Sequence, residues 1–76
     1  MGNAKAQFDP GAATSRRTLE FQDVTTGEVI IIDQCVTRRI TTETDMWSVT
    51  GITRDGKRQC EFRMNVRTEM GVYVIT

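Results

Sequence analysis

The stretch that decides the fold runs from Met46 to Thr68 and reads MWSVTGITRDGKRQCEFRMNVRT. From Cys60 to Arg67, apolar and polar side chains alternate without a break. Successive side chains of a β-strand point to opposite faces, so this period of two predicts a strand with one buried face. Just upstream, Asp55-Gly56 predicts a two-residue type I′ turn, because both positions of that turn need a positive φ. The stretch is therefore predicted to be a β-hairpin.

The predicted turn fixes the register of this hairpin. It places the following pairs opposite each other: Arg54 and Lys57, Gly51 and Cys60, Val49 and Phe62, Trp47 and Met64. All the large apolar side chains then share one face of the sheet. A slip of one residue would place Trp47 and Val49 opposite polar residues, so the turn and the apolar pattern support the same register.

The rest of the chain predicts a small all-β domain. Residues 1–15 are small and polar, have no periodicity and predict a disordered N-terminal arm, which leaves residues 16–76 as a single β domain. Leu19 and Phe21 alternate with polar residues, which predicts a strand. The following Thr25-Thr26-Gly27 predicts a three-residue loop that places Phe21 opposite Ile31. About five antiparallel strands follow one another as a meander, forming a partly open barrel or an SH3-like or OB-like sheet.

Two apolar runs bear on whether the domain associates with another chain. Val29–Ile32 are four consecutive β-branched residues, which predicts a strand covered on both faces by the edge of a barrel, a folded-over sheet or a partner subunit. Val72–Ile75 predict a last strand at an edge with no Lys or Pro to block pairing. The alternative is that this strand closes a barrel against residues 16–24. Residues 41–45 are expected to form a loop or a single helical turn.

Composition argues against catalysis. The chain has no histidine, so it has no imidazole general base and no Ser-His-Asp or Cys-His pair. Its two cysteines cannot supply the roughly four ligands of the usual zinc site. Asp33, beside the apolar run, is the best candidate for a raised pKa, but it has no identifiable partner. We predict a non-enzymatic protein without a metal, cofactor or catalytic residue.

The two cysteines and the N-terminus bear on location. The N-terminal residues contain no apolar stretch of the kind found in secretory signals, and no run approaches the length of a membrane span. A cytoplasmic protein without membrane contact is therefore expected, with Cys35 and Cys60 as free thiols. Cys60 is expected to be the more buried, because it shares the apolar face of the hairpin.

Two functional hypotheses remain. The favoured one is a protein-interaction module, such as a small subunit, adaptor or inhibitor, that binds a partner protein or a second copy through a sheet edge and an apolar face. Self-association is favoured over a monomer because so short a domain buries little surface by itself. The candidate interface residues are Val29, Ile30, Ile32, Val72, Tyr73 and Val74.

The alternative hypothesis is a small β-barrel that binds nucleic acid through backbone phosphates. The hairpin is rich in basic residues, and the candidate contacts are Arg54, Lys57, Arg58, Arg63 and Arg67. The net charge of zero disfavours this hypothesis, because polyanion binders are usually basic overall. The aromatic residues Trp47 and Phe62 are also expected on the opposite face from Arg63 and Arg67, where they cannot stack bases beside them.

Overall fold

The structure is a computed structural model, and it describes residues 2–8 and 17–76. These residues form six antiparallel strands: β1 Gly2–Lys5, β2 Arg17–Asp23, β3 Val29–Arg39, β4 Met46–Thr53, β5 Gln59–Asn65 and β6 Met70–Ile75. Each strand pairs with the next along the chain, and β6 pairs with β1, so the sheet closes into a barrel. The predicted all-β antiparallel meander is confirmed, with six strands in a closed barrel where five in a partly open one were expected.

The β4–β5 hairpin has the predicted register. Val49 lies opposite Phe62 and Trp47 lies opposite Met64. The side chains of Val49, Phe62 and Met64 are fully buried in the barrel interior. Hydrophobic alternation therefore decided which face of these strands lines the core, as the pattern in the sequence indicated.

The turn of this hairpin differs from the predicted type I′. Lys57 has a positive φ of 50°, whereas Asp55 and Gly56 do not have positive φ values. The Lys57 N–H donates to the Thr53 carbonyl oxygen at 2.9 Å, which makes a four-residue loop from Arg54 to Lys57. A four-residue loop centred on the same two residues leaves every strand pair where the two-residue turn would have placed it. The register is therefore unchanged.

The β2–β3 and β5–β6 loops repeat this design. The last loop residue has a positive φ, 76° at Gly27 and 62° at Glu69. Its N–H donates at 2.8 Å to the carbonyl oxygen of the last residue of the preceding strand, Asp23 or Asn65. The side chains of these strand residues also accept loop N–H groups, Asp23 from Thr25 and Thr26, and Asn65 from Arg67 and Thr68. Asp and Asn commonly stabilise turns in this way.

The β2–β3 register is one residue away from the predicted one. Phe21 lies opposite Ile30 instead of Ile31, because the loop contains four residues and not three. Since side chains alternate along a strand, Ile30 and Ile32 point into the core, while Val29 is half exposed. Within the described chain, the barrel therefore covers only the inner face of the run Val29–Ile32, and the predicted cover on both faces is not found there.

Strand β1 corrects the prediction of a disordered arm over residues 1–15. It pairs with β6 through four residue pairs and with β2 through two, and so completes the barrel. A Cβ on Gly2 would lie 2.6 Å from Oδ2 of Asp23, and Ala4 is fully buried, so this strand needs small inner residues. Gly and Ala give no apolar period of two, which is why the sequence pattern did not reveal the strand. The first described strand begins at Gly2 instead of residue 16, and residues 1 and 9–15 of the predicted arm lie outside the described residues.

The core is one cluster inside the barrel. The rings of Phe21 and Phe62 stack with centroids 4.5 Å apart and planes 4° from parallel. Tyr73 tilts against Phe21 at 5.1 Å. Trp47 is only partly buried and lies 6.0 Å from Phe8, whose side chain packs against the core cluster. The other buried apolar residues are Ala4, Ala6, Ile30, Ile32, Cys35, Val49, Cys60 and Met64.

Candidate protein interface on the outer face of strands β5 and β6

The outer face of β5 and β6 follows from the same alternation that fills the core. Because Cys60, Phe62 and Met64 point inward on β5, Glu61 and Arg63 point outward. The β5–β6 pairing places Arg63 beside Val72 and Glu61 beside Val74. We call these four residues, Glu61, Arg63, Val72 and Val74, the β5–β6 face.

A shallow groove of about 550 Å³ runs over this face. The β3–β4 loop contributes Glu43 to its wall, and the start of β4 contributes Met46. Gly71 also lines the groove. A Cβ at position 71 would lie 2.6 Å from the Cα of Met64 and would meet the carbonyl oxygen of Arg63, so the close approach of β5 and β6 requires glycine here. The remaining lining residues are the four members of the β5–β6 face.

The apolar members of the face are open to solvent. Val72 is 43% exposed and Val74 is 39% exposed, although both lie within strand β6. Val36 on β3 is 49% exposed and belongs to the same cross-strand row as Val74, with Thr50 and Glu61 between them. Single exposed valines are ordinary on protein surfaces, but two neighbours in a groove with charged walls resemble the composition of a binding site.

The charged members of the face have no ion-pair partner within the described chain. Its ion pairs join Arg54 to Asp33 and Arg67 to Asp45, and neither involves Glu61 or Arg63. Both side chains are exposed. The face therefore combines an apolar centre with two opposite charges that are available to an incoming chain.

The predicted interface residues are distributed over three places. Val72 and Val74 lie on the β5–β6 face, whereas Ile30, Ile32 and Tyr73 are buried in the core and offer no surface to a partner. Val29 lines a separate cleft of about 400 Å³ beside the β4–β5 loop. Only the two valines of β6 therefore stay together as candidates for one interface.

The predicted open edge at β6 is wrong. Strand β6 pairs with β5 on one side and with β1 on the other, so its main-chain groups are used within the barrel. The Tyr73 hydroxyl also links β6 to β2 by donating a hydrogen bond to Asp23 at the end of β2. That hydrogen bond raises the pKa of Tyr73 to about 12 and lowers the pKa of Asp23 below its ordinary value. A partner of β6 must use side chains instead of strand addition.

The predicted phosphate contacts do not form one strip. Arg54, Lys57 and Arg58 lie around the β4–β5 loop at one end of the barrel, and Arg67 lies in the β5–β6 loop at the other end. Seven strand residues separate these ends, which corresponds to about 23 Å. Arg63 lies between them on the outer face.

Three of these basic residues already have partners. Arg54 forms a bidentate pair with Asp33 at 2.9 and 3.2 Å, and Nε of Arg58 donates to the carbonyl oxygen of Thr76 at 3.0 Å. Arg67 lies 3.9 Å from Asp45. A single row of free cations, which a nucleic-acid backbone would need, is therefore not formed by this hairpin.

The expectation of a raised pKa at Asp33 is wrong. A bulge in β3, where Gln34 has a φ of 55°, interrupts the pairing with β4 next to Asp33. The Arg54 guanidinium donates two hydrogen bonds to Asp33, and the Thr18 hydroxyl donates a third. These bonds favour the carboxylate and hold the pKa of Asp33 below its ordinary value. Asp33 therefore links β3 to Thr18 of β2 and to Arg54 of the β4–β5 loop.

The two cysteines are free and equally buried. Cys35 and Cys60 are each 2% exposed, so the expectation that Cys60 would be the more buried is wrong. Burial raises the pKa of both thiols, to about 11 at Cys60. A thiol is nucleophilic as its thiolate, so neither cysteine is suited to covalent chemistry at neutral pH.

Sequence reasoning missed the residues that frame the groove. Glu43 reaches it from the β3–β4 loop and Met46 from the start of β4, and the conformation of that loop carries no signal in the sequence. The outward direction of Glu61 and Arg63 was visible in the β5 alternation. Their pairing with Val74 and Val72 depended on the length of the β5–β6 loop, which was not resolved by pattern alone.

Among residues 2–8 and 17–76, no three His, Cys, Asp or Glu side chains group as metal ligands would. No helix in that part of the chain has the length and apolar character that a membrane crossing needs. No protein-family model, curated protein or solved structure matches the chain.

Proposed function

We propose that the protein is a non-catalytic interaction module that binds another protein chain through the β5–β6 face. The observation that carries this proposal is the exposed pair Val72 and Val74 on the floor of the groove. Apolar side chains held on a rigid strand lose little conformational freedom on binding, so their burial contributes to affinity at small entropic cost.

The mode of binding is packing of side chains. Because β6 is paired on both sides, a partner gains no main-chain hydrogen bonds from it. The partner instead buries the two valines, and its polar groups meet Glu61 and Arg63 at the rim. An apolar centre with a charged rim is the usual anatomy of a protein interface.

The absence of histidine supports the non-catalytic part of the proposal. The lowered pKa of Asp33 makes it a poor general acid, and the buried, weakly acidic thiols of Cys35 and Cys60 are poor nucleophiles.

The test uses a charge placed in the groove. Val74→Asp puts a carboxylate among apolar contacts, and Val24→Asp is a matched control because Val24 is a similarly exposed valine in the β2–β3 loop, away from the face. Each protein is used for affinity capture from an extract of the cells that make it, followed by direct titration of the purified partner. We expect the wild type and Val24→Asp to bind alike, and Val74→Asp to lose binding at least tenfold.

The same titration separates protein binding from nucleic-acid binding. Apolar contacts depend little on salt, whereas each phosphate contact lowers the logarithm of the affinity by about 0.7–0.9 per tenfold increase in salt. Binding that ignores Val74→Asp, falls steeply with salt and weakens on Lys57→Ala or Arg67→Ala would refute the proposal.

A further inference from the structure

We infer that a second copy of this chain occupies the β5–β6 face, docked around a two-fold axis. This inference rests on the proposed function and names its partner. The axis lies between the two faces, perpendicular to the strands, halfway between two cross-strand rows of side chains. One row contains Arg63 and Val72, and the other contains Glu61 and Val74.

The spacing of the rows makes the face complementary to itself. Two residues along a strand are about 6.8 Å apart, so the rows form a small rectangle with a charge and a valine in each row. The two-fold axis exchanges the rows. Arg63 then faces the partner's Glu61, and Val72 faces the partner's Val74. In a two-fold interface every contact occurs twice, so the dimer contains two ion pairs and two valine contacts.

The charges select this axis over the other simple choice. An axis parallel to the strands would place Arg63 over the partner's Val72 and Glu61 over the partner's Val74. Each charge would then lose water without gaining a partner, which is costly. Glu61 and Arg63 have no ion pair with each other or with other described residues, so both charges are available for contacts across the interface.

Glu43 and Met46 line the same groove beside these four residues and add to the surface that the partner covers. A standard interface buries about 800 Å² per partner. This is about a sixth of the 5137 Å² surface, a proportion that one face of the barrel can supply.

The test is a charge swap. Glu61→Arg gives a face with two positive charges, and Arg63→Glu gives a face with two negative charges. Each variant meets like charges when it pairs with itself. In a mixture of the two, position 61 of either chain faces an opposite charge at position 63 of the other. Glu28→Arg is the control, because Glu28 is exposed and lies outside the face.

Sedimentation velocity between about 1 μM and about 1 mM, the range of weak to moderate affinities, measures the association. We expect the wild type and Glu28→Arg to dimerise alike, and each single swap to weaken self-association at least tenfold. The equimolar mixture and the double variant Glu61→Arg/Arg63→Glu should recover the dimer. Circular dichroism spectra and melting curves check that every variant is folded.

The outcomes separate this inference from the proposed function. A wild type that stays monomeric up to about 1 mM overturns the two-fold dimer, as does a mixture that fails to recover association. If Val74→Asp still abolishes binding of a different captured protein, the proposed function stands without the dimer. If the wild type dimerises and neither Val74→Asp nor the swaps change the dimer, the contact lies elsewhere and the inference is refuted.

Discussion

Replacing Phe62 by alanine tests the packing of side chains at the centre of the closed barrel. The Phe62 side chain is fully buried, and its ring stacks on Phe21 at 4.5 Å. Removal of a buried Phe side chain costs about 3–5 kcal/mol, because the lost contacts and the cavity that remains add together. Proteins have roughly 0.05–0.15 kcal/mol of stability per residue, or about 4–11 kcal/mol for a chain of this length. Phe62→Ala should therefore remove a large part of the free energy of unfolding.

Urea denaturation with linear extrapolation measures this loss. We expect a loss of at least about 3 kcal/mol and a melting temperature lower by at least about 12 °C. Gln59→Ala is the control on the same strand, because Gln59 is exposed and a surface change should alter stability by less than about 0.5 kcal/mol. A loss below about 1 kcal/mol for Phe62→Ala would refute the reasoning, because it would mean that the ring is not enclosed by the barrel.

Three further outcomes are expected. Deleting residues 1–8 should lower the melting temperature clearly, because β1 closes the barrel; an unchanged value would show that closure adds no stability. The lowered pKa of Asp23 means that its contribution to stability is complete above its unfolded pKa, about 3.9, and is lost as pH falls through the lower folded pKa. Melting temperatures between pH 2 and 7 should fall at the acid end more steeply for the wild type than for Asp23→Asn; equal slopes would contradict this. Cys35 and Cys60 should resist a thiol reagent in the native protein and react after unfolding without reductant; two sulfurs appearing only after reduction would mean a disulfide.

The hairpin was predictable because its information is local. Alternation from Cys60 to Arg67 assigned the inner and outer faces of β5, and the position of the loop fixed the pairing with β4. The register was predicted correctly although the turn type was wrong, because the four-residue loop has the same centre as the predicted two-residue turn. In the β2–β3 hairpin the loop length itself was wrong by one residue. The Asp23 side chain accepts hydrogen bonds from the N–H groups of Thr25 and Thr26, which keeps Val24 in the loop. The sequence pattern did not reveal this preference of Asp23 for a turn.

Barrel closure was beyond local reasoning. It requires residues near the N-terminus to pair with residues about seventy positions later, as Asn3 does with Val72. The inner residues of β1 are small because Asp23 and Tyr73 occupy the adjacent space, so their sequence has no apolar signal. Without that closure, the valines of β6 were interpreted as a free edge. With it, the same valines belong to an outer face.

The partners of the arginines depended on irregular backbone. The alternative hypothesis assigned Arg54 to phosphate contact, but the β3 bulge at Gln34 lies next to Asp33, which binds the Arg54 guanidinium. A bulge of this kind inserts an extra residue into one strand of a pair, and alternation in one strand does not reveal it. The sequence therefore identified the charged residues and not their pairing.

The most direct measurement of the proposed interface is the change in amide chemical shifts of isotopically labelled protein as its binding chain is added. The second copy is added by raising the concentration of the protein, and any captured partner is added by titration. We expect the largest shifts at Glu61, Arg63, Val72 and Val74, with small shifts in the loops at the far end of the barrel, around Gly27 and Lys57. Shifts concentrated in those loops, with the β5–β6 face unchanged, would contradict the proposal that this face is the binding surface.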